Sequence, residues 1–136
     1  MRAVIQRVSS ASVAVEGTVI SSIESGLLIL LGIEEEDDST DIEWLTKKIA
    51  SLRILEDAGG RMNRSLHDTG GSALVVSQFT LFGDCRKGRR PSFVAAMDPH
   101  LAEALLRQFT DALRSECSWV EEGVFGADMQ VQLTND

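Results

Sequence analysis

The sequence predicts an α+β fold: a mainly antiparallel, barrel-like β-sheet core with two helices packed against it. Three observations carry this prediction. Residues 1–33 hold apolar and β-branched runs broken at glycines, with no helical period. Two later stretches space their apolar residues by three and four, each behind a capping signal. Strand-like runs return after each of these stretches, giving the order strands, helix, strands, helix, strands. No repeat, linker or low-complexity tract divides the 136 residues, so one domain over 1–136 is expected.

Residues 3–8 are β-branched enough for a strand. Ser12-Val13-Ala14-Val15 and Thr18-Val19-Ile20 flank Glu16-Gly17, a hairpin pattern whose glycine accepts the positive φ of a tight turn. Residues 26–33 form a continuous run of leucine and isoleucine between glycines, the pattern of a strand buried on both faces. Thr40 and Glu43 have capping-box spacing. Ile42, Leu45, Ile49 and Leu52 then recur at helical intervals, and Glu43 and Lys47 are placed for an i,i+4 pair. Arg53-Ile54-Leu55-Glu56 returns to strand before the turn Asp57-Ala58-Gly59-Gly60. A second buried strand covers Ala73-Leu74-Val75-Val76. Asp98-Pro99 opens the second helix, with the aspartate as cap and the proline in the first turn. Leu101, Leu105, Phe109 and Leu113 trace its apolar stripe to about Glu116. Trp119-Val120-Glu121 and residues 127–133 follow as strands, the latter alternating with period two.

Composition narrows the function. A hydrophobic content of 43% and a mean hydropathy near zero belong to a soluble globular protein. No apolar stretch reaches the roughly 18 residues of a membrane span. The first residues meet charge again at Arg7 and lack the apolar core of a signal peptide, so a cytoplasmic, unprocessed protein is expected. Cys85 and Cys117 read as free thiols. His67 and His100 have no metal-ligand spacing, so a zinc site is not expected. The net charge of −8 argues against broad binding along a nucleic-acid backbone and leaves room for a narrow basic contact. The acidic run from Glu34 to Asp38 reads as a solvated turn before a helix.

Two neighbouring stretches carry the chemistry. The strand over residues 73–76 ends in Ser77, Gln78, Phe79 and Thr80, and buried polar groups left unsatisfied cost about 1–3 kcal/mol each. Bonds to local backbone meet that cost in one reading. In the other, Gln78, the Thr80 hydroxyl and the nearby backbone amides form a polar pocket that stabilises an oxyanion without a charged side chain. Neither histidine has a triad context for Ser77 or Thr80. Six residues on, Arg86, Lys87, Arg89 and Arg90 form the one dense positive patch, in a loop shaped by Gly88 and Pro91. It reads either as a solvated loop or as a phosphate contact made by arginine forks. Phe93 suits a core anchor or a base-stacking ring, and Met129 suits strand packing.

These residues resemble the D-aminoacyl-tRNA deacylase family. The matching segments are Ile5-Gln6-Arg7-Val8, Ala11-Ser12-Val13, residues 26–32, Ser77-Gln78-Phe79-Thr80-Leu81, residues 86–93 and Phe125-Gly126-Ala127-Asp128-Met129-Gln130-Val131, in register along the chain. The resemblance implies a homodimer with active sites at the subunit interface and no metal or organic cofactor. It implies hydrolysis of the ester between a D-amino acid and the 3′-terminal adenosine of tRNA, and of glycyl-tRNA mischarged on tRNA(Ala). Ser77, Gln78, Phe79 and Thr80 match the family's catalytic motif. Thr80 acts there either as nucleophile or, with the RNA's 2′-hydroxyl activating the reaction, as a positioning group. Arg7 matches an arginine that helps fix the chirality-checking loop, and Met129 a residue near the pocket. Arg86, Lys87, Arg89 and Arg90 match the tRNA-binding loop. The family pattern continues past Asp136 with a Gly-Pro motif whose cis bond reaches into the partner's pocket, and this sequence stops before it. Either the sequence is cut short before that motif or, as the alternative reading, the chain is a catalytically impaired or chirality-relaxed tRNA-binding paralogue without that gate.

Overall fold

β1 (Arg2–Val15) is the longest strand, and most of the sheet is built on it. The computed structural model describes residues 1–136. Residues 2–8 of β1 pair antiparallel with β3 (Gly26–Gly32), while residues 11–15 are flanked by β2 (Thr18–Ile23) and β8 (Met129–Asn135). The β1–β2 turn has positive φ at both Glu16 (50°) and Gly17 (77°), the geometry of a two-residue hairpin.

The sheet then runs β2-β1-β3-β6-β7, with β8 on the other flank of β1. Here β6 is Ser72–Ser77 and β7 is Trp119–Glu122. The pairings made by β1 are antiparallel, as expected, but β3–β6 and β6–β7 are parallel. Parallel neighbours need long crossovers, and the helices supply them. The crossover from β3 to β6 contains α1 (Ser39–Ser51), the short hairpin of β4 (Leu55–Glu56) and β5 (Met62–Arg64), and α2 (Leu66–Thr69). The crossover from β6 to β7 contains α3 (Pro99–Glu116).

Alternation along β3 and β6 divides the core in two. Leu27, Ile29, Leu31, Ala73 and Val75 face the helices and pack with Ile42, Ile49, Phe109 and Leu113. Leu28, Leu74 and Val76 face the barrel interior with Val8, Ala11, Val13 and Ile23. Both strands are thus buried on both faces, as their unbroken apolar runs required.

Four local expectations change. The cap of α1 is Asp38, not Thr40: its carboxylate accepts from the Thr40 amide at 2.7 Å, and Asp41 returns the bond to the Asp38 amide at 3.0 Å. A carboxylate two residues upstream does the work of the threonine and also suits the positive end of the helix dipole. A third helix, α2, is only four residues long, too short for periodicity to reveal, and is held by a Ser65–Asp68 capping box. The stripe of α3 is Ala102, Leu106, Phe109 and Leu113, whereas Leu101 is 59% exposed. The acidic run is also not wholly solvated. Asp37 is nearly buried, accepting from the Glu34 amide at 2.7 Å and pairing with the Met1 ammonium.

Candidate functional site

β6 delivers Ser77 beside Leu31 of β3, and the Gln78 amide donates to the Leu31 carbonyl at 2.8 Å. The chain then closes into a 3-10 turn, Phe79–Phe82. This turn lies directly over Gly32. A Cβ there would stand 3.0 Å from both the Gln78 carbonyl oxygen and the Phe82 ring, tight enough that the turn or the ring would have to give by a few tenths of an ångström. Phe82 is buried beneath the turn. An Arg2 guanidinium nitrogen donates to the Leu81 carbonyl at 3.0 Å, and the guanidinium lies 4.5 Å from the centre of the Phe82 ring.

The first amides of such a turn have no partner within it. The Leu81 amide bonds to Gln78 (3.2 Å) and the Gly83 amide to Thr80 (2.9 Å), but the amides of Phe79 and Thr80 meet no acceptor in the protein. The Gln78 side-chain amide donates to the Thr80 hydroxyl. The site therefore presents two free backbone donors and a hydroxyl whose orientation is held by its neighbour.

Beside this turn is a pocket of about 490 Å³, within the roughly 300–1,000 Å³ of small-molecule sites. Leu31 and Ile33 belong to its β3 side, and Ser77, Gln78 and Phe79 form a second wall. Ala96, Met97, Pro99 and Ala102 close it from the start of α3, and Phe125, Ala127 and Met129 from the β7–β8 connection. The Met97 amide donates to Ile33 at 3.0 Å, tying the α3 approach to β3. Phe79 is 58% exposed yet braced: Phe93 meets it edge-on with ring centres 5.2 Å apart. Phe93 is thus partly buried as a support rather than a deep anchor.

Asp98 is the one ionisable residue lining the pocket, and its carboxylate caps α3 through the His100 amide at 3.0 Å. His67 lies 3.2 Å from the Glu116 carboxylate, and neither histidine lines the pocket. No recorded bond joins either one to Ser77 or Thr80.

The basic loop grows from the far end of the 3-10 turn. Asp84 and Ser92 exchange two backbone bonds of 2.8 and 3.0 Å that close its base. Arg86 folds back on Asp84 with contacts of 2.9 and 2.6 Å. That pair holds the Asp84 carboxyl below its usual range and raises Arg86. Lys87, Arg89 and Arg90 are exposed and in no ion pair, so three of the four cations stay available.

Ser77, Gln78, Phe79 and Met129 thus line one pocket, and Thr80 joins them through Gln78. Arg86, Lys87, Arg89 and Arg90 flank this site without lining it. Arg7 is elsewhere. It pairs across from Leu27 rather than Leu31 and holds the Ile54 carbonyl (3.1 Å), Glu56 (3.3 Å) and Asp136, at the opposite end of the sheet. Arg2, Met97 and Ala102 carry no sequence signal for this site, whereas Gly32, Leu31 and Phe125 lie in the segments that resemble the family without a role being assigned to them.

The nearly closed mixed sheet with its packed helices is a fold shared with a solved relative. A solved structure described as a probable eukaryotic D-amino acid tRNA deacylase superposes with a TM-score of 0.83 over 98% of this chain and 93% of its own; at 15% identity, that is a likeness of fold alone. The family model for D-Tyr-tRNA(Tyr) deacylase matches residues 4–136, and the chain belongs to that family. D-aminoacyl-tRNA deacylases of Thermomicrobium roseum and Thermus aquaticus are each 57% identical over all of this chain, which spans 88% and 90% of their lengths. A structure described as c-Myc DNA Unwinding Element Binding Protein is 42% identical, with a TM-score of 0.95 over 100% of this chain and 93% of its own.

Proposed function

We propose that this chain is a carboxylic ester hydrolase that releases the D-amino acid from D-aminoacyl-tRNA. One observation carries the mechanism: the unpaired Phe79 and Thr80 amides stand beside a pocket whose one carboxylate, Asp98, caps α3 and is not bonded to Ser77 or Thr80. The ester carbonyl oxygen lies against these two amides, which hold the negative charge that develops as the carbonyl carbon becomes tetrahedral. Each donor of this kind contributes about 2.7–4 kcal/mol to the transition state. Water adds to the carbonyl carbon, the ester C–O bond breaks, and the ribose oxygen leaves with a proton. With no histidine or carboxylate bonded to Ser77 or Thr80, the neighbouring 2′-hydroxyl of the terminal ribose relays that proton. Ser77 and Gln78 orient the ester, and Gln78 directs the Thr80 hydroxyl.

Lys87, Arg89 and Arg90 contact the RNA backbone, with Arg86 acting through Asp84. Met129 and Phe125 shape the apolar pocket beside the terminal adenosine. The same chemistry extends to glycyl-tRNA mischarged on tRNA(Ala), because glycine presents no side chain to reject. The working unit is a cytoplasmic homodimer, and Arg7, remote from its own chain's pocket, acts at the partner's. The test measures amino-acid release from matched D- and L-aminoacyl-tRNA. Turnover of the D-form alone is the expected result. Equal turnover of both forms makes the chain a chirality-relaxed deacylase. Binding of tRNA with no turnover of either makes it a silent tRNA-binding paralogue and ends the proposal.

A further inference from the structure

We propose that Arg2 is a positioning residue for this site, clamping the end of the 3-10 turn so that the Phe79 and Thr80 amides stay aimed at the substrate. The turn is open at its start: Gln78 provides no side-chain cap, which leaves the Phe79 and Thr80 amides free. Its orientation must then be set from beneath and from its other end. From beneath it rests on Gly32 through Phe82. At the other end Arg2, the β1 residue paired directly across from Gly32, bonds the Leu81 carbonyl at 3.0 Å and covers the Phe82 ring at 4.5 Å.

Both contacts use what is particular to arginine. The planar guanidinium donates a hydrogen bond in its plane while its face lies on an aromatic ring, which an ammonium does not do. A cation beside a terminal carbonyl also suits the negative end of a helical turn. Arg2 forms no ion pair with any carboxylate, so its recorded polar partner is the turn itself. An exposed arginine near a basic loop has an obvious competing role as one more phosphate contact. The two roles differ in kinetics. A phosphate contact changes substrate affinity and its salt dependence. Misplacing the oxyanion donors lowers the chemical step itself.

The activity arm of the test rests on the deacylase reading above; a second arm does not. Arg2→Leu and Arg2→Lys are compared with the unaltered protein by kcat and KM on D-aminoacyl-tRNA, and by amide hydrogen exchange over residues 78–83. Arg2→Leu is expected to lower kcat on the order of ten- to hundred-fold with KM unchanged. It also speeds exchange at Leu81, Phe82 and Gly83, whose bonds the clamp protects. Arg2→Lys recovers part of the kcat, and free guanidinium at millimolar concentration partly rescues Arg2→Leu. Gly32→Ala, which lifts the turn from beneath, lowers kcat similarly, and the two changes together do no more than one.

A rise in KM with a shallower salt dependence and unchanged kcat makes Arg2 a phosphate ligand and overturns the proposal. So does unchanged exchange over residues 78–83. If the unaltered protein releases no D-amino acid, the deacylase reading fails while the exchange measurement still decides the clamp.

Discussion

Replacing Thr80 with alanine separates two ways of breaking the ester. Thr80 is exposed, and its hydroxyl accepts from the Gln78 side-chain amide and is bonded to no histidine or carboxylate. If it only helps to orient the ester, alanine removes one neutral hydrogen bond, about 0.5–1.5 kcal/mol, or a two- to twelve-fold slower step. If it is the nucleophile, its loss removes the covalent route, and losses of that kind reach about 10⁴- to 10⁶-fold. The two expectations are more than a hundred-fold apart, far beyond assay error. Single-turnover deacylation of D-aminoacyl-tRNA with enzyme in excess reads the chemical step without the binding term. The structure predicts the small loss, with Gln78→Ala giving a similar one and the double variant little more. A drop of a thousand-fold or more in Thr80→Ala, or an acyl ester trapped on Thr80 after acid quench, refutes the reasoning.

Three further outcomes follow from other parts of the molecule. Changing Lys87, Arg89 and Arg90 together to alanine should lower the slope of log affinity for tRNA against log salt by about two to three, while Arg86→Ala, already held by Asp84, should change it little. An unaltered slope in the triple variant removes the loop from the RNA interface. Gly26→Ala should destabilise the fold by about 3 kcal/mol or more in urea unfolding, because the new Cβ overlaps the Ser72 backbone in the tightly paired β3–β6 ladder. A loss below about 1 kcal/mol contradicts that packing. Thiol reagents at pH 8 should label Cys85 and spare Cys117, whose thiol is pushed up to about 11 by burial and by the charge of Glu116. Because the folded value lies above the ordinary 9.0, the associated stability is full below that pH and is lost as the pH rises through about 11. Equal labelling of both cysteines in the native protein excludes the buried placement.

What could be read in advance was local. The Glu16-Gly17 hairpin, the unbroken run of β3 and the Asp98-Pro99 start of α3 each announce themselves within a few neighbouring residues. The parallel pairing of β3, β6 and β7 does not, because it depends on which way each crossover returns. Leu101 was misassigned for a related reason: helical spacing leaves two adjacent stripes open on α3, and packing against α1 and the sheet selects the one through Ala102 and Leu106. At the site, Ser77, Gln78 and Met129 were legible as residue types in a recognisable pattern. Met97 and Ala102 were not, since any core residue looks like them until distant segments meet. Arg7 shows the converse. Its pattern was clear, yet in its own chain it lies four ladder positions from the register of the pocket.

The order in which β1 acquires its partners bears on how the protein is made. β1 leaves the ribosome before the other strands described, and β2 and β3 can pair with it as soon as they emerge. The flank covered by β8 must wait for residues 129–135. Throughout that interval a long row of backbone donors and acceptors is open to any other extended chain nearby. The pocket waits as well, since Phe125, Ala127 and Met129 close its last side. A nascent chain interrupted before that point carries the donors of the 3-10 turn but an open-sided cavity. Closure of the pocket and cover of the first strand are thus acquired in the same late stretch of synthesis.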